Sequence, residues 1–322
     1  MWQFPKLSTA TVCLFLSFVP AQALEKMILG HTAGIDPLGA FVAKDQGLFE
    51  KHGVDVTFQL ATGAGTMAAA VASNSIQASN ATVPAMLFAA EQGVELRVIG
   101  PIGASAPGFH MAGLVIGGAL DLKTAKELEG RTIAVPGLNA FLHILLVKWM
   151  HDNGADPGKA RFVEITFTQM PDALRAKRID AATLIDPFLT RALTAGNGKL
   201  MSYYTDDLPN GTVPAVWVTS KAFADAKPET VRAFQRGLRE GIVYARAHPE
   251  IADETLSRYL KLPIEAVRQS TKQPLLDNIT PAQIAFWIDL MRAQKLIARP
   301  LDSTGLIFKW VAESNSGRPT WI

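Results

Sequence analysis

Five short segments of the chain carry polar groups at places where a buried, strand-like run ends. In open α/β sheets the ligand lies at the carboxyl ends of the strands, so these groups are candidates for the mouth of one cleft. Each segment alone also fits an ordinary turn or helix cap, and an aspartate before a proline often starts a helix. As a set they favour a ligand site. The segments are residues 31–36, 62–66, 80–82, 136–139 and 186–187.

The sharpest motif match is GAGTMA, residues 63–68, which has the G-x-G-x-x-A spacing of a dinucleotide-binding turn. That fingerprint opens the first strand–helix unit of its fold and needs an acidic residue about 20 positions later for the ribose. Here the motif follows the second predicted strand, and Asn80 stands where the next strand ends. The segment therefore indicates a tight turn whose amides face the cleft, with no nucleotide.

None of the common catalytic or metal-binding motifs occurs in the sequence. The six histidines form no H-E-x-x-H motif and have no carboxylate at ligand spacing. A G-x-S-x-G elbow and a P-loop are also absent. We therefore expect no enzyme activity, no cofactor and no metal.

Composition and the first residues predict an exported protein with a large core. The chain has 322 residues, of which 48% are hydrophobic and 19% charged, and its net charge of +2 favours neither nucleic acid nor an anionic membrane as partner. Lys6, an apolar stretch over 7–19 and the small-x-small site 21–23 indicate a cleavable signal peptide over residues 1–23. Cys13, the only cysteine, lies inside it. We expect a monomeric periplasmic protein without a membrane anchor.

Alternating strand-like and helix-like runs predict an α/β fold with mostly parallel sheets. The breaks at 100–108 and 210–215 read as two crossings between lobes. Lobe I would comprise 24–102 and 213–322, and lobe II 103–212, with the ligand cleft between them. The predicted strands are 27–30, 54–60, 76–81, 95–100, 114–116, 132–135, 162–166, 181–185 and 215–219, and the main helices are 38–46, 66–72, 84–92, 171–177, 228–247, 251–260 and 281–297, with others starting near 138 and 187.

The stretch 129–154 combines a buried strand, a Pro-Gly break and a helix that ends at Gly154. Such a turn can present free backbone N–H groups to a ligand. The helix is expected to start at Leu138, with one buried stripe along it. Its members are Leu138, Phe141, Leu142, Leu145, Leu146 and Trp149.

Four blocks resemble the solute-binding components of ABC importers, in the subgroup that binds nitrate, taurine and other sulfonates, or thiamine-related pyrimidines. The resemblance spans nearly all of the chain after the signal and implies a type II periplasmic binding fold, hinge closure on the ligand and recognition by a membrane permease. It leaves two alternatives, a pyrimidine-precursor synthase of similar fold and a binding module that feeds a sensor. The blocks are GAFVAKDQGLFEKHGVDVTF (39–58), ELEGRTIAVPG (127–137), ALRAKRIDAATLIDPF (173–188) and VPAVWVTSKAF (213–223).

One departure from that subgroup bears on the ligand. Its sulfonate and nitrate binders often start the second-lobe helix with glycine and serine, whereas here Gly137 is followed by Leu138 and Asn139. The five mouth segments contain no arginine, and Arg191 lies one turn beyond. We therefore expect an organic solute with an apolar or aromatic body and a carboxylate or heterocyclic polar end.

Phe109, Phe141 and Phe188 are possible packing surfaces for that body, although each also fits a place in the core. The predicted ligand-binding residues are Asp36, Leu38, Gly65, Thr66, Asn80, Thr82, Gly137, Asn139, Phe141, Asp186 and Phe188.

Overall fold

The computed structural model describes residues 23–31, 37–60 and 64–309. The predicted signal peptide therefore lies outside the described residues except for Ala23, as do parts of two mouth segments, 32–36 and 62–63. No helix within the described residues is both long and apolar enough to cross a membrane.

Ten strands in the described part of the chain form two sheets of five. Most are short, apolar runs that end at a turn, as buried α/β strands do. Their bounds are β1 Glu25–His31, β2 Val54–Leu60, β3 Ala78–Thr82, β4 Leu96–Pro101, β5 Gly113–Gly117, β6 Thr132–Val135, β7 Arg161–Glu164, β8 Ala181–Leu184, β9 Gly198–Ser202 and β10 Ala215–Ser220.

The two sheets share one topology. The first has the order β2-β1-β3-β10-β4 and the second β7-β6-β8-β5-β9. In each sheet the fourth strand, β10 or β5, runs antiparallel to both of its neighbours, and the other four strands run in one direction. The expectation of two mostly parallel α/β units is confirmed. Each antiparallel strand is the one that follows a connection arriving from the other sheet.

Twelve α-helices cover these sheets in the described residues. The bounds are α1 Leu38–Asp45, α2 Leu48–Lys51, α3 Ala64–Ala72, α4 Val83–Glu91, α5 Phe141–Asp152, α6 Met170–Arg175, α7 Phe188–Thr194, α8 Lys221–Ala226, α9 Pro228–Ala247, α10 Pro249–Leu260, α11 Ile264–Gln269 and α12 Pro281–Ala293.

The C-terminal helices return to the first sheet, as the order of elements predicts. Helix α9 has one apolar face, which includes Phe234, Leu238 and Ile242, and this face packs in the same core as Phe49 and the strands of the first sheet. Helix α12 is tied to the connection that follows β9, because Trp287 Nε1 donates to Val213 O at 2.8 Å.

Two connections, 102–112 and 203–214, join the sheets and lie side by side. Ser105 N–H donates to Thr212 O at 2.9 Å, and Thr212 N–H donates to Ser105 Oγ at 3.0 Å. Nearer the second sheet, Ala112 N–H donates to Thr205 Oγ1 at 3.1 Å. We call these connections the crossings. Since they are cross-linked by backbone hydrogen bonds, they form a paired joint between the sheets.

Candidate ligand-binding cleft

Two adjoining cavities lie between the sheets and together form what we call the cleft. The crossing-side cavity has a volume of about 330 Å³ and the helix-side cavity about 660 Å³. Thr82, Ala140 and Phe141 line both. The crossing-side cavity meets the first sheet at Thr82 and Ala215, and the second at strand ends near Pro136 and Asp186. The cleft is therefore at the carboxyl ends of strands from both sheets, where α/β proteins hold ligands.

The walls of the crossing-side cavity are mainly apolar. Phe109 and Met111 come from the first crossing, Phe167 follows β7, and Phe141 opens α5. These rings can pack against the flat or aliphatic body of a small molecule. The polar side chains on its wall are Thr82, His110, Asp186, Thr271 and Gln273.

His110 is held in place by the second crossing. Its ring stacks on Tyr203 with centroids 3.9 Å apart, and its Nδ1 lies 2.7 Å from Asp206 Oδ2. A carboxylate therefore already occupies one hydrogen-bonding position of this histidine. The contact also adds a side-chain link between the two crossings.

Thr82 lies at the end of β3 and caps α4. Its Oγ1 accepts from Ala85 N–H at 3.3 Å, while Val83 N–H is taken by Pro214 O at 3.0 Å. The hydroxyl proton of Thr82 is not needed for the cap, because a cap uses only an oxygen lone pair. Thr82 can therefore donate a hydrogen bond into the cleft.

Asp186 lies at the end of β8 and has two roles available to it. Its Oδ1 accepts from Thr190 N–H at 3.1 Å and from Thr190 Oγ1 at 2.7 Å, which caps the start of α7. Oδ2 has no hydrogen-bond partner among the described residues, and the side chain lines the crossing-side cavity. Asp186 can therefore cap α7 through Oδ1 and contact a ligand through Oδ2 at the same time.

The turn 136–140 differs from its prediction in two ways. First, three of its backbone amides are already hydrogen-bonded. Leu138 N–H donates to Glu164 Oε1 at 2.7 Å, Asn139 N–H to His143 Nδ1 at 2.8 Å, and Ala140 N–H to Gly137 O at 3.2 Å. The backbone N–H groups that have no acceptor among the described residues are the next three along the chain. They belong to the first three residues of α5, Phe141 to His143.

The second difference concerns the start of α5, which begins at Phe141 and not at Leu138. Asn139 has a φ of 58°, a left-handed conformation that interrupts a helix and that asparagine tolerates better than most residues. Leu138 is consequently 49% exposed at the helix-side cavity and is not part of the buried stripe. Phe141 is half-buried and lines both cavities.

The structure places the predicted site residues in several different surroundings. Leu38 and Asn80 are buried, Leu38 in the core with Phe41 and Asn80 within β3, and neither lines the cleft. Phe188 stands behind the wall, stacked on Phe167 with ring centroids 5.9 Å apart. Gly137 belongs to the turn without lining either cavity, whereas Thr82, Asn139, Phe141 and Asp186 do line them. Asp36 lies outside the described residues, as do the side-chain surroundings of Gly65 and Thr66.

Gln273 is a wall residue that the sequence did not reveal. It lies between α11 and α12, packs against Gly103 of the first crossing and lines the crossing-side cavity. Its Nε2 is buried without an acceptor among the described residues. Gln273 does not follow a strand in the sequence, so the strand-end rule could not identify it as a site residue. Only the return of the C-terminal segment brings it to the crossings.

His143 holds the turn from within α5. It is buried, its ring meets Phe162 edge-on at 4.4 Å, and its Nδ1 accepts from Asn139 N–H. Acceptance at Nδ1 requires the neutral ring, with the proton on Nε2. Burial lowers the pKa of His143 from its ordinary value of 6.5.

Acidification should therefore destabilise the protein through His143. Below pH 6.5 the unfolded chain takes up this proton before the folded chain does, so the free energy of unfolding should fall as pH drops from 6.5 through the lower folded-state pKa. His143→Asn keeps an acceptor near Nδ1 but does not titrate. Urea unfolding between about pH 5 and 7.5 should show a smaller pH dependence in this variant than in the wild type.

A matched control is available on the same helix. His151 lies at the C-terminal end of α5 with 81% of its side chain exposed. His151→Asn removes an exposed histidine that pairs with the exposed Asp152, so it should change the pH dependence of stability less than His143→Asn does. Equal slopes for His143→Asn and the wild type would show that the turn is not held by a neutral His143.

Comparisons with known proteins agree with this architecture. The family model described as NMT1/THI5 like matches residues 35–252. A Brachyspira hyodysenteriae protein named as an ABC transporter periplasmic binding protein is 31% identical over 138 residues, which are 42% of this chain and 39% of that protein. The taurine-binding periplasmic protein of Escherichia coli is 27% identical over 264 residues, 79% of this chain and 78% of that protein.

Among solved structures, the periplasmic aliphatic sulphonate binding protein of Escherichia coli superposes with a TM-score of 0.72. The match covers 88% of this chain and 98% of that one at 18% identity. Identity this low makes the similarity one of fold alone. That protein therefore shares the two α/β units that the order of strands and helices predicted for this chain.

Proposed function

Because the chain belongs to the NMT1/THI5-like family, we propose that it is the solute-binding component of an ABC importer. In this role it binds a small organic molecule between the two sheets and delivers it, unchanged, to a membrane permease. Its relatives are named as periplasmic binding proteins, which supports this class of function and a periplasmic location.

The observation that carries this proposal is the cleft itself. Its walls come from both sheets, and the sheets are joined by two crossings that lie side by side. Closing such a joint would bring Thr82 on the first sheet towards Asp186 and Phe141 on the second, and so enclose a ligand. The moving units in this proposal are lobe I, residues 24–102 and 213–322, and lobe II, residues 103–212.

The shape and chemistry of the walls favour a compact ligand with an apolar body. The crossing-side cavity, which is lined by most of the polar side chains of the cleft, has a volume of about 330 Å³, at the small end of the range for small-molecule sites. Phe109, Phe141 and Phe167 provide the apolar surface, while Thr82 and Gln273 provide hydrogen-bonding groups. A heterocycle or an aliphatic or aromatic carboxylate with one polar end matches this combination.

A thermal-shift screen of the protein lacking residues 1–23 tests the proposal. The screen uses unmodified nutrients, and each compound that raises the unfolding midpoint is then incubated with the protein and re-analysed by mass spectrometry. We expect at least one compound that binds with a micromolar or lower Kd and is recovered unchanged. Chemical conversion of the binder would instead support the synthase-like alternative. Capture of a sensor ectodomain, with no affinity for a permease, would support the sensor-module alternative.

A further inference from the structure

The described walls of the cleft carry a negatively charged side chain but no lysine or arginine to balance it. Among the described residues that line the two cavities there is no lysine and no arginine, while Asp186 contributes a carboxylate. His110 also lines the crossing-side cavity, but its Nδ1 already faces Asp206. By sequence, none of the five predicted mouth segments contains a lysine or an arginine.

A second carboxylate contacts the turn 136–140, next to the helix N-terminus at which an anionic ligand could otherwise bind. Glu164, at the end of β7, accepts from Leu138 N–H through Oε1. Its charge offsets the positive end of α5, since anions at a helix N-terminus compete for the same partial charge. An anionic ligand at the start of α5 would meet a helix end whose charge Glu164 already offsets, with Asp186 on the cleft wall nearby, and would lose hydration without gaining a lysine or arginine partner.

The free oxygen of Asp186 is placed to pair with a ligand group. Strands β6 and β8 are adjacent, with Ala134 beside Ala182. The segments that follow them, which carry Phe141 and Asp186, therefore start about 5 Å apart. A ligand whose body packs on Phe141 can present a hydrogen-bond donor to Oδ2 of Asp186, while Oδ1 continues to cap α7 through Thr190.

We propose that the bound solute carries a protonated nitrogen that pairs with Asp186 and has no net negative charge. This inference rests on the proposed function and narrows it, because it selects an amine, an amidine or a protonated heterocycle over a simple carboxylate. It also separates this chain from a binder of anionic sulphonates, the ligand class in the name of its structural neighbour.

Three probes with one common body test the charge. They are 2-phenylethylamine, which is a cation at pH 7, 2-phenylethanol, which is neutral, and 3-phenylpropionate, which is an anion. Calorimetry should show the amine binding at least about tenfold more tightly than the alcohol, with the anion weakest. In Asp186→Asn, whose amide oxygen can still cap α7, the preference for the amine over the alcohol should fall below about threefold.

Asp172→Asn is the matched control, because Asp172 lies on α6 in the second sheet unit and lines neither cavity of the cleft. It should keep the wild-type preference. Tighter binding of the anion, or an amine preference that survives in Asp186→Asn, would overturn the charge assignment while leaving solute binding intact. If none of the probes binds and native mass spectrometry of the purified protein finds no retained small molecule, the proposed function itself fails and this assignment fails with it.

Discussion

Replacing Gly241 with alanine should lower the free energy of unfolding by about 2 kcal/mol, although alanine favours a helix over glycine by about 1 kcal/mol. Gly241 lies in α9 where that helix crosses α1. A Cβ added there would stand 2.3 Å from Gly39 O and 2.6 Å from Ala43 Cβ. The first of these atoms is backbone, so relief requires the two helices to separate.

The effect should be specific to this crossing. Val243 is two residues further along α9 and 49% exposed, so Val243→Ala should change the free energy of unfolding by less than about 0.5 kcal/mol. Urea unfolding of both variants and the wild type provides the comparison. A Gly241→Ala protein that is as stable as the wild type, or more stable, would show that α1 and α9 do not approach this closely.

Filling the cleft should weaken ligand binding strongly without unfolding the protein. Ala140 lines both cavities, is itself exposed and caps α5 in an extended conformation that tryptophan can adopt. The indole of Ala140→Trp would project into space that a ligand needs. We expect the Kd of the strongest compound from the thermal-shift screen to rise at least about 100-fold, which is about 2.7 kcal/mol. Unliganded stability should stay within about 0.5 kcal/mol.

Val243→Trp adds the same side chain to an exposed position that lines neither cavity, and it should bind like the wild type. Calorimetry on the two tryptophan variants therefore separates bulk in the cleft from bulk elsewhere. Unchanged affinity in Ala140→Trp would place the ligand outside the cleft, whatever its identity.

The sheets and crossings could be predicted because their signals are local. Short apolar runs separated by amphipathic helices predict parallel strands, and the two breaks without periodicity predict the crossings. Strand β9 was missed because it is an edge strand, and Lys199 and Leu200 are both exposed. Without a buried face, such a strand has no apolar pattern by which to recognise it.

The chemistry of the turn 136–140 could not be predicted because it depends on distant side chains. The sequence analysis took its backbone amides as free. In the structure Glu164, at the end of β7, and His143, in the first turn of α5, each accept a hydrogen bond from one of them. The strand-end rule also proposed Asn80, which is buried within β3 and lines neither cavity. Leu38, another predicted site residue, is buried in the core with Phe41. The strand-end rule proposed Thr82 and Asp186 because both follow a predicted strand, and in the structure both line the crossing-side cavity.

The most direct test of the account is a crystal structure of the protein lacking residues 1–23, grown with the strongest compound from the thermal-shift screen. We predict density for one unmodified small molecule between the sheets, in contact with Thr82, Phe141 and Asp186, and a rotation of the second sheet towards the first about the crossings. Density for that molecule at any other place on the protein would contradict the account, as would density for a reaction product.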